Sequence, residues 1–439
     1  MKLRFFNQSV FVIAAVLVFG TISCSKEIDF DKEKYTKYRK YVSPVDSVDQ
    51  SHTWQLATSR SYQFTVNANV GTQKLEIYSE DPTVSTEAEM MSRVFVKDGQ
   101  QVTLSVSVPS IMTTLYAALV DNDGTYTVIS FSPTERYVDF TNPIATKQKP
   151  RLASPKIMTY TYCYEENYPE PGDYDFNDLV MRIGLERTGQ KQMDSHVTLA
   201  AVGASGQIAG AIRLVGYRYM DIESVKAKDD KTLNVDVPQL SYGLIHNDDI
   251  LLEGRNGNGK KGYGEAVINL FADAHWSMGD DIETVNDDFI RKKYNVMRSF
   301  SDPFDQTYAK TVDFTVTFKS ESGLNNLTQE MIDPFIITYY MSNRIETHMD
   351  EFKKAQTLYN YEDNVDFKDI PWALRIPSRY FRYPLEGCQI GFRKRTEEGS
   401  TAMFGAYMTL GHSFGEWVED HRNCLDWYLE DYATANQVW

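Results

Sequence analysis

Between Thr53 and Phe140, apolar and polar residues alternate in short runs: "YQFTVNANV", "KLEIYS", "SRVFVKDGQQVTLSVSV" and "TTLYAALVDNDGTYTVISF". Alternation over five to eight residues, broken by Gly, Asn and Asp, marks antiparallel strands with one buried face. "KDGQ" (97–100) and "DNDG" (121–124) sit at the breaks and read as hairpin turns, because Gly and Asx residues tolerate the left-handed backbone such turns need. The pattern predicts a β-sandwich over residues 51–145. "NPIATKQKPRLASPK" (142–156), rich in Pro and Lys, reads as a linker.

Alternation resumes in a larger region, 157–439. "IMTYTYCYEE" and "DLVMRIGLER" read as strands on either side of an acidic loop, and "SHVTLAAVGAS" and "IAGAIRLVGYRYM" continue the sheet. "EAVINLFADAH", "VDFTVTFKS" and "DPFIITYYM" are further strands. Near the end, Met403, Phe404, Tyr407, Leu410, Phe414, Trp417 and Val418 recur at helical spacing, which predicts a C-terminal helix packed on the sheet by its aromatic stripe. The fold class is mostly β: an N-terminal β-sandwich, then a larger β-rich, sandwich-like domain with a C-terminal helix.

The N-terminus breaks the alternation. Lys2 and Arg4 precede an apolar run from Val10 to Gly20, too short for an ordinary membrane span, and small residues lead to Cys24. This is the layout of a lipoprotein signal over 1–23, with Cys24 acylated as the mature N-terminus; a plain secretory signal or a short anchor, with Cys24 incidental, is the other reading. Thr21 stands where such signals usually carry Leu. Acyl chains would hold the protein to a membrane, since each buried methylene adds about 0.8 kcal/mol. The charged stretch 24–50, opening "SKEIDFDKEK" after Cys24, is expected to be a tether. The expected location is the outer membrane, lipid-anchored and facing the exterior.

The net charge of −16 sets the chain against nucleic acid and anionic headgroups, whose phosphates would repel it. Its 28 tyrosines suit antiparallel sheets and binding surfaces. If Cys24 is lipidated, Cys163, Cys388 and Cys424 remain. That leaves room for one disulfide, and no spacing resembles a zinc site.

One stretch concentrates charge. From Glu165 to Asp178 there are six acidic residues and no Lys or Arg, ending in "YPEPGDYDFNDLVM". Like charges about 4 Å apart repel by roughly 4 kcal/mol at an effective dielectric of 20. Such a loop needs a cation or must stay open to solvent. Asp173, Asp175 and Asn177 fall at alternate positions, so their side chains converge if the loop curls while Tyr174 and Phe176 turn into apolar packing. Hard oxygen donors of this kind suit Ca²⁺. Asp178 adds a carboxylate, Glu165 or Glu166 beside it closes the shell, and Gly172 permits the tight entry. An EF-hand would need Gly at Asp178 and Glu at Gly184, so this is a β-loop site of another kind; a solvated turn is the alternative.

Other motifs carry less. Gly254 to Lys260 reads G-x-x-x-x-G-K, but Lys261 stands where a P-loop needs Ser or Thr, and a strand follows instead of a helix. No nucleotide is expected. Glu346 and His348 would share a strand face, where a hydrogen-bonding role outweighs metal ligation. His275 in "FADAHWSMG" is the other histidine in polar company. No G-x-S-x-G is present, and no two carboxylates stand out as a catalytic pair.

Four segments, "EENYPEPGDYDFNDLVMR", "AVINLFADAHWSMGD", "DPFIITYYMSNRIETH" and "IPWALRIPSRYFRYPLEGCQI", are followed by Ala406, Tyr407, Phe414, Trp417, Asp426, Trp427 and Tyr428. In this order they resemble the LruC-domain family of bacterial surface lipoproteins, over about 157–430. "VDQSHTWQLA" (48–57) is similar to the start of such lipoproteins. The resemblance implies a surface-exposed envelope protein with no settled enzymatic activity and an acidic block like the calcium loops of other secreted β-domains. The expected function is therefore a non-enzymatic binding or adhesion module for a host or envelope glycan or protein. The alternatives are an anchor or tip subunit of a surface fibre and, third, a glycan hydrolase, which would need paired carboxylates about 5–10 Å apart in a cleft.

Overall fold

The computed structural model describes residues 43–66, 72–97, 100–140, 147–168, 172–227, 251–253, 264–279, 282–285, 288–298, 304–321, 323–340, 343–355, 369–391 and 405–439. The signal with Cys24, the first part of the tether, Glu170 and the Gly254–Lys260 motif lie outside them.

The N-terminal alternation folds into two facing sheets. The first eight strands are β1 (Ala57–Thr65), β2 (Thr72–Tyr78), β3 (Glu89–Phe95), β4 (Gln101–Pro109), β5 (Leu115–Asp121), β6 (Tyr126–Phe131), β7 (Tyr137–Asp139) and β8 (Lys156–Ile157). One sheet runs β4-β1-β7 and the other β6-β5-β2-β3-β8. Alternate residues Tyr62 and Phe64, Leu75 and Ile77, and Val102, Leu104 and Val106 meet between them, as a period of two requires. The "DNDG" turn closes the β5–β6 hairpin, with Gly124 at φ +74° and Asp123 Oδ1 accepting from the Thr125 amide. The strands before and after "KDGQ", β3 and β4, lie in different sheets and so do not pair as a hairpin; Asp98 and Gly99 lie outside the described residues. The described end of the linker is not free either, since Gln148 bridges Tyr126, the Arg151 amide donates to Pro82, and β8 pairs parallel with β3.

The larger region is a second sandwich. It holds β9 (Thr159–Tyr164), β10 (Leu179–Arg187), β11 (Gln192–Ala201), β12 (Ala209–Arg218), β13 (Ile222–Ala227), β14 (Leu251–Glu253) and β15 (Glu265–Phe271). Then follow β16 (Ile282–Val285), β17 (Asp288–Arg291), β18 (Lys293–Tyr294), β19 (Phe304–Asp305), β20 (Lys310–Phe318), β21 (Ile332–Tyr340), β22 (Asn343–Thr347) and β23 (Ala373–Ile376). A six-stranded sheet, β13-β20-β11-β10-β9-β23, faces a five-stranded sheet, β14-β15-β12-β21-β22. Strands expected to extend one sheet thus divide between two: β11 and β12 are consecutive in the chain and belong to opposite layers. The core between them gathers Tyr160, Tyr162 and Tyr164, Met181 and Ile183, Phe314 and Val316, Ile212, Ile268 and Ile336.

The other face of the six-stranded sheet is covered by chain with little regular structure. Cys163, Val180, Leu374 and Ile376 pack there against Tyr383, Tyr407, Phe414, Trp417 and Trp427. Two short α-helices are described, α1 (Ala274–Met278) and α2 (Phe414–Glu419). Of the expected C-terminal helix, Met403 and Phe404 lie outside the described residues, and from residue 405 on only its last turn and a half is helical. Gly411 at φ +80° is a left-handed break, and Ser413 then caps α2. The tether also needs correction. Residues 43–56 belong to this third layer: Val45, Trp54 and Leu56 join its core, Trp54 stacks on His52 at 3.9 Å, and the His52 ring bonds the Trp417 carbonyl at 3.1 Å.

Candidate metal centre

The acidic loop joins neighbouring antiparallel strands, β9 ending at Tyr164 and β10 starting at Leu179. Tyr174 and Phe176 take left-handed backbones, φ +61° and +52°. That conformation is costly for aromatic residues and persists where surroundings fix it. Here both rings are buried in the third-layer core, and the Ile390 amide donates to the Tyr174 carbonyl at 2.7 Å. The rings turn into apolar packing as the alternation predicts.

Carboxylates from Glu165, Asp173 and Asp175 offer oxygens that all lie within 4.8 Å of one another. Backbone amides hold several acids in place. Glu165 Oε1 accepts from Phe176 at 2.7 Å, Asp175 Oδ1 from Asn177 at 3.2 Å and Oδ2 from Gly387 at 3.0 Å, and Asp178 Oδ2 from Glu166 at 2.7 Å. Glu165, Asp175, Asn177 and Asp178 are buried, and Asp173 lies at the exposed rim. Glu166 turns away and accepts from the Ser205 and Gly206 amides. Of the two glutamates considered for closing the shell, Glu165 is the one that joins the cluster.

Three acceptor oxygens remain without a hydrogen-bond partner although they are shielded from water: Glu165 Oε2, Asn177 Oδ1 and Glu386 Oε2. Glycines make room for them. A Cβ on Gly172 would lie 1.9 Å from Glu165 Oε2, and one on Gly203 would lie 2.1 Å from Asn177 Oδ1 and 3.1 Å from Glu386 Oε2. Burial, and then repulsion from neighbouring acids, pushes the Glu165, Asp175 and Asp178 carboxyls well above the usual range. Burial also raises Asp173 and Glu386. The cation in contact is Lys293, whose Nζ is 2.6 Å from Glu386 Oε1. An all-oxygen donor set with orphaned, inward-facing acceptors could hold a hard divalent cation.

Glu386, Gly203 and Lys293 were not visible as site residues in the sequence. They lie 208, 25 and 115 positions beyond Asp178 and carry no local spacing signal. Glu346 and His348, expected to hydrogen-bond, do so elsewhere. His348 Nδ1 is 2.7 Å from Asp333 Oδ2 and its Nε2 is 3.4 Å from Glu346, on the outer face of the five-stranded sheet. His275 is buried on α1 and bonds the Lys292 and Gly206 carbonyls. Cys163, Cys388 and Cys424 are free thiols, so no disulfide joins them. Among the described residues no helix is long and apolar enough to cross a membrane.

No curated protein and no solved structure matches the chain. Residues 191–392, which take in Gly203, Lys293 and Glu386 and begin after the acidic loop, match the family model of a domain of unknown function, DUF4842.

Proposed function

We propose that the acidic loop binds one Ca²⁺ as a structural ion, through Asp173, Asp175, Asn177, Asp178 and Glu165. The observation that carries this reading is the pair of buried, unpartnered oxygens, Glu165 Oε2 and Asn177 Oδ1, among carboxylates that burial and mutual repulsion hold at raised pKa. Left without a cation, such acceptors cost roughly 1–3 kcal/mol each. An Asn carbonyl with several carboxylates suits Ca²⁺ better than softer metals. A structural role is supported because backbone amides pin Glu165, Asp175 and Asp178. A general acid or base must instead reach a substrate proton.

On this reading the protein is a surface lipoprotein of the LruC type, anchored through acylated Cys24 to the outer membrane and facing outward. Its calcium-braced β-domain binds a glycan or protein ligand and catalyses no reaction. The test of the ion is thermal unfolding of the purified chain in calcium and in chelator, with elemental analysis. A hundredfold excess over Kd adds about 2.7 kcal/mol to the native state, so the midpoint should rise in calcium. Equal midpoints and no bound calcium would leave the loop a solvated turn. The test of the anchor is Cys24→Ala, which should release the protein from membranes; an unchanged membrane fraction would reject acylation there.

A further inference from the structure

We propose that Glu386 is the remote ligand that closes the cation site and that Lys293 is its built-in competitor, an internal ammonium that holds the site to modest affinity. This rests on the calcium reading above and adds the two residues that would set its strength.

Glu386 stands beside the cluster on a segment far along the chain: its carboxylate lies outside the close group of Glu165, Asp173 and Asp175, near enough to act on Asp175 through its charge. Its next residue, Gly387, donates its amide to Asp175 Oδ2 at 3.0 Å, and Asn177 Nδ2 donates to the Pro384 carbonyl at 3.1 Å. These two bonds lock segment 384–387 onto the acidic loop. They also fix Asn177, fully buried, so that its unpartnered Oδ1 faces the space over Gly203. Glu386 Oε2, likewise unpartnered, borders the same space. Two free oxygens from distant segments, converging where no side chain can stand, form the missing side of a shell that the loop alone leaves open.

Lys293 explains why Glu386 presents only one oxygen. Its Nζ takes Oε1 at 2.6 Å. Asp178 and Asp175 also act on that ammonium, raising its pKa after burial has opposed it. The lysine thus neutralises part of the cluster while Glu386 Oε2 stays unpartnered. It lowers the net negative charge a divalent ion meets, and charge count is a main determinant of affinity in oxygen-ligand sites.

The experiment is calcium titration by calorimetry of the full chain, purified in detergent, and of four variants. Lys293→Met should tighten calcium about tenfold, since one unit of positive charge beside the acidic cluster is removed. A gain of this kind cannot come from misfolding. Glu386→Gln and Glu386→Asp should each weaken calcium about tenfold. The aspartate keeps the charge and loses the reach. Asp175→Asn should abolish binding. If Glu386→Asp binds as the parent does, or Lys293→Met fails to tighten binding, while Asp175→Asn still loses it, the present inference falls and the calcium site stands. If the parent chain itself takes up no calcium, the calcium reading fails and this one with it.

Discussion

At the scale of single residues, Asn177 shows how a site is assembled from one side chain's two ends. Its Nδ2 donates to Pro384, so its Oδ1 is turned to the space beside Gly203. Gly203→Ala would place a methyl 2.1 Å from that oxygen and 2.9 Å from the Asn177 carbonyl. Backbone on one side and a buried amide on the other leave little room to yield. Gly203→Ala should therefore lose calcium-dependent stabilisation while keeping the β circular dichroism spectrum; an unchanged calcium shift of the unfolding midpoint would reject the close approach. A different residue sets a pH dependence. His196 on β11 lies 3.1 Å from Asp313 and 3.6 Å from Glu186, which together raise it to about 9. Glu186, beside the same ring and bonded by Arg93, is lowered to about 2. A histidine raised above its unfolded value of about 6.5 contributes stability that is complete below that pH and is lost as pH rises through 9. The urea midpoint should fall between pH 6.5 and 9.5, and His196→Gln should flatten the fall. The side chain is 30% exposed, so solvent screening keeps the effect modest. Parallel pH profiles for the two proteins would exclude the pairing.

At the scale of elements, what the sequence revealed and what it hid have a common physical origin. Strand periodicity is local, and β1, β4, β10 and β20 appear where alternation placed them. Sheet membership depends on partners far away, so alternation could not tell that β3 and β4 lie in different sheets. The stripe from Tyr407 to Val418 misled because an aromatic cluster in irregular chain can mimic helical spacing. Its rings, Tyr407 on Phe381 at 5.4 Å and Trp417 on Trp427 at 5.6 Å, pack with each other without a continuous helix beneath them. Half of the acidic cluster was legible, since Asp173, Asp175 and Asn177 repeat every second residue. Glu386 and Gly203 were not, because tertiary packing brings them in. The surviving helix α2 has a local cause. Ser413 Oγ accepts from the Glu416 amide at 3.2 Å and donates to Glu416 Oε2 at 2.7 Å. Ser413→Ala removes this cap and should destabilise the fold by about 1 kcal/mol. A change below about 0.3 kcal/mol in urea unfolding would mean that aromatic packing alone holds α2.

At the scale of the whole molecule, the chain's two sandwiches are joined to each other, and its described first segment to its last. Arg93 on β3 bonds Glu76 in its own sheet and reaches Glu186 on β10, both at 2.7 Å, so a buried guanidinium bolts the first sandwich to the second. Beside it Ser107 on β4 meets the Tyr160 hydroxyl at 2.6 Å. The described start of the chain is bound to its end. Asp49 contacts the His421 ring at 2.5 Å, its amide donates to Val418, and Trp54 meets Trp417 edge-on at 5.7 Å. An element that leads toward a proposed membrane anchor is thus part of the core under the C-terminal segment, and force on the anchor would reach the body through it. Trp54 is the residue on which this depends, 4% exposed and held at φ +60° by its neighbours. Trp54→Ala would leave a cavity between His52, Trp417 and the sheet, and buried Trp or Phe truncations cost about 3–5 kcal/mol. The expected result is a lower urea midpoint with an unchanged slope, and loss of near-ultraviolet dichroism from Trp417. If the variant instead lost less than about 1 kcal/mol, the segment would be a tether resting on the surface, because surface substitutions stay within about half a kcal/mol.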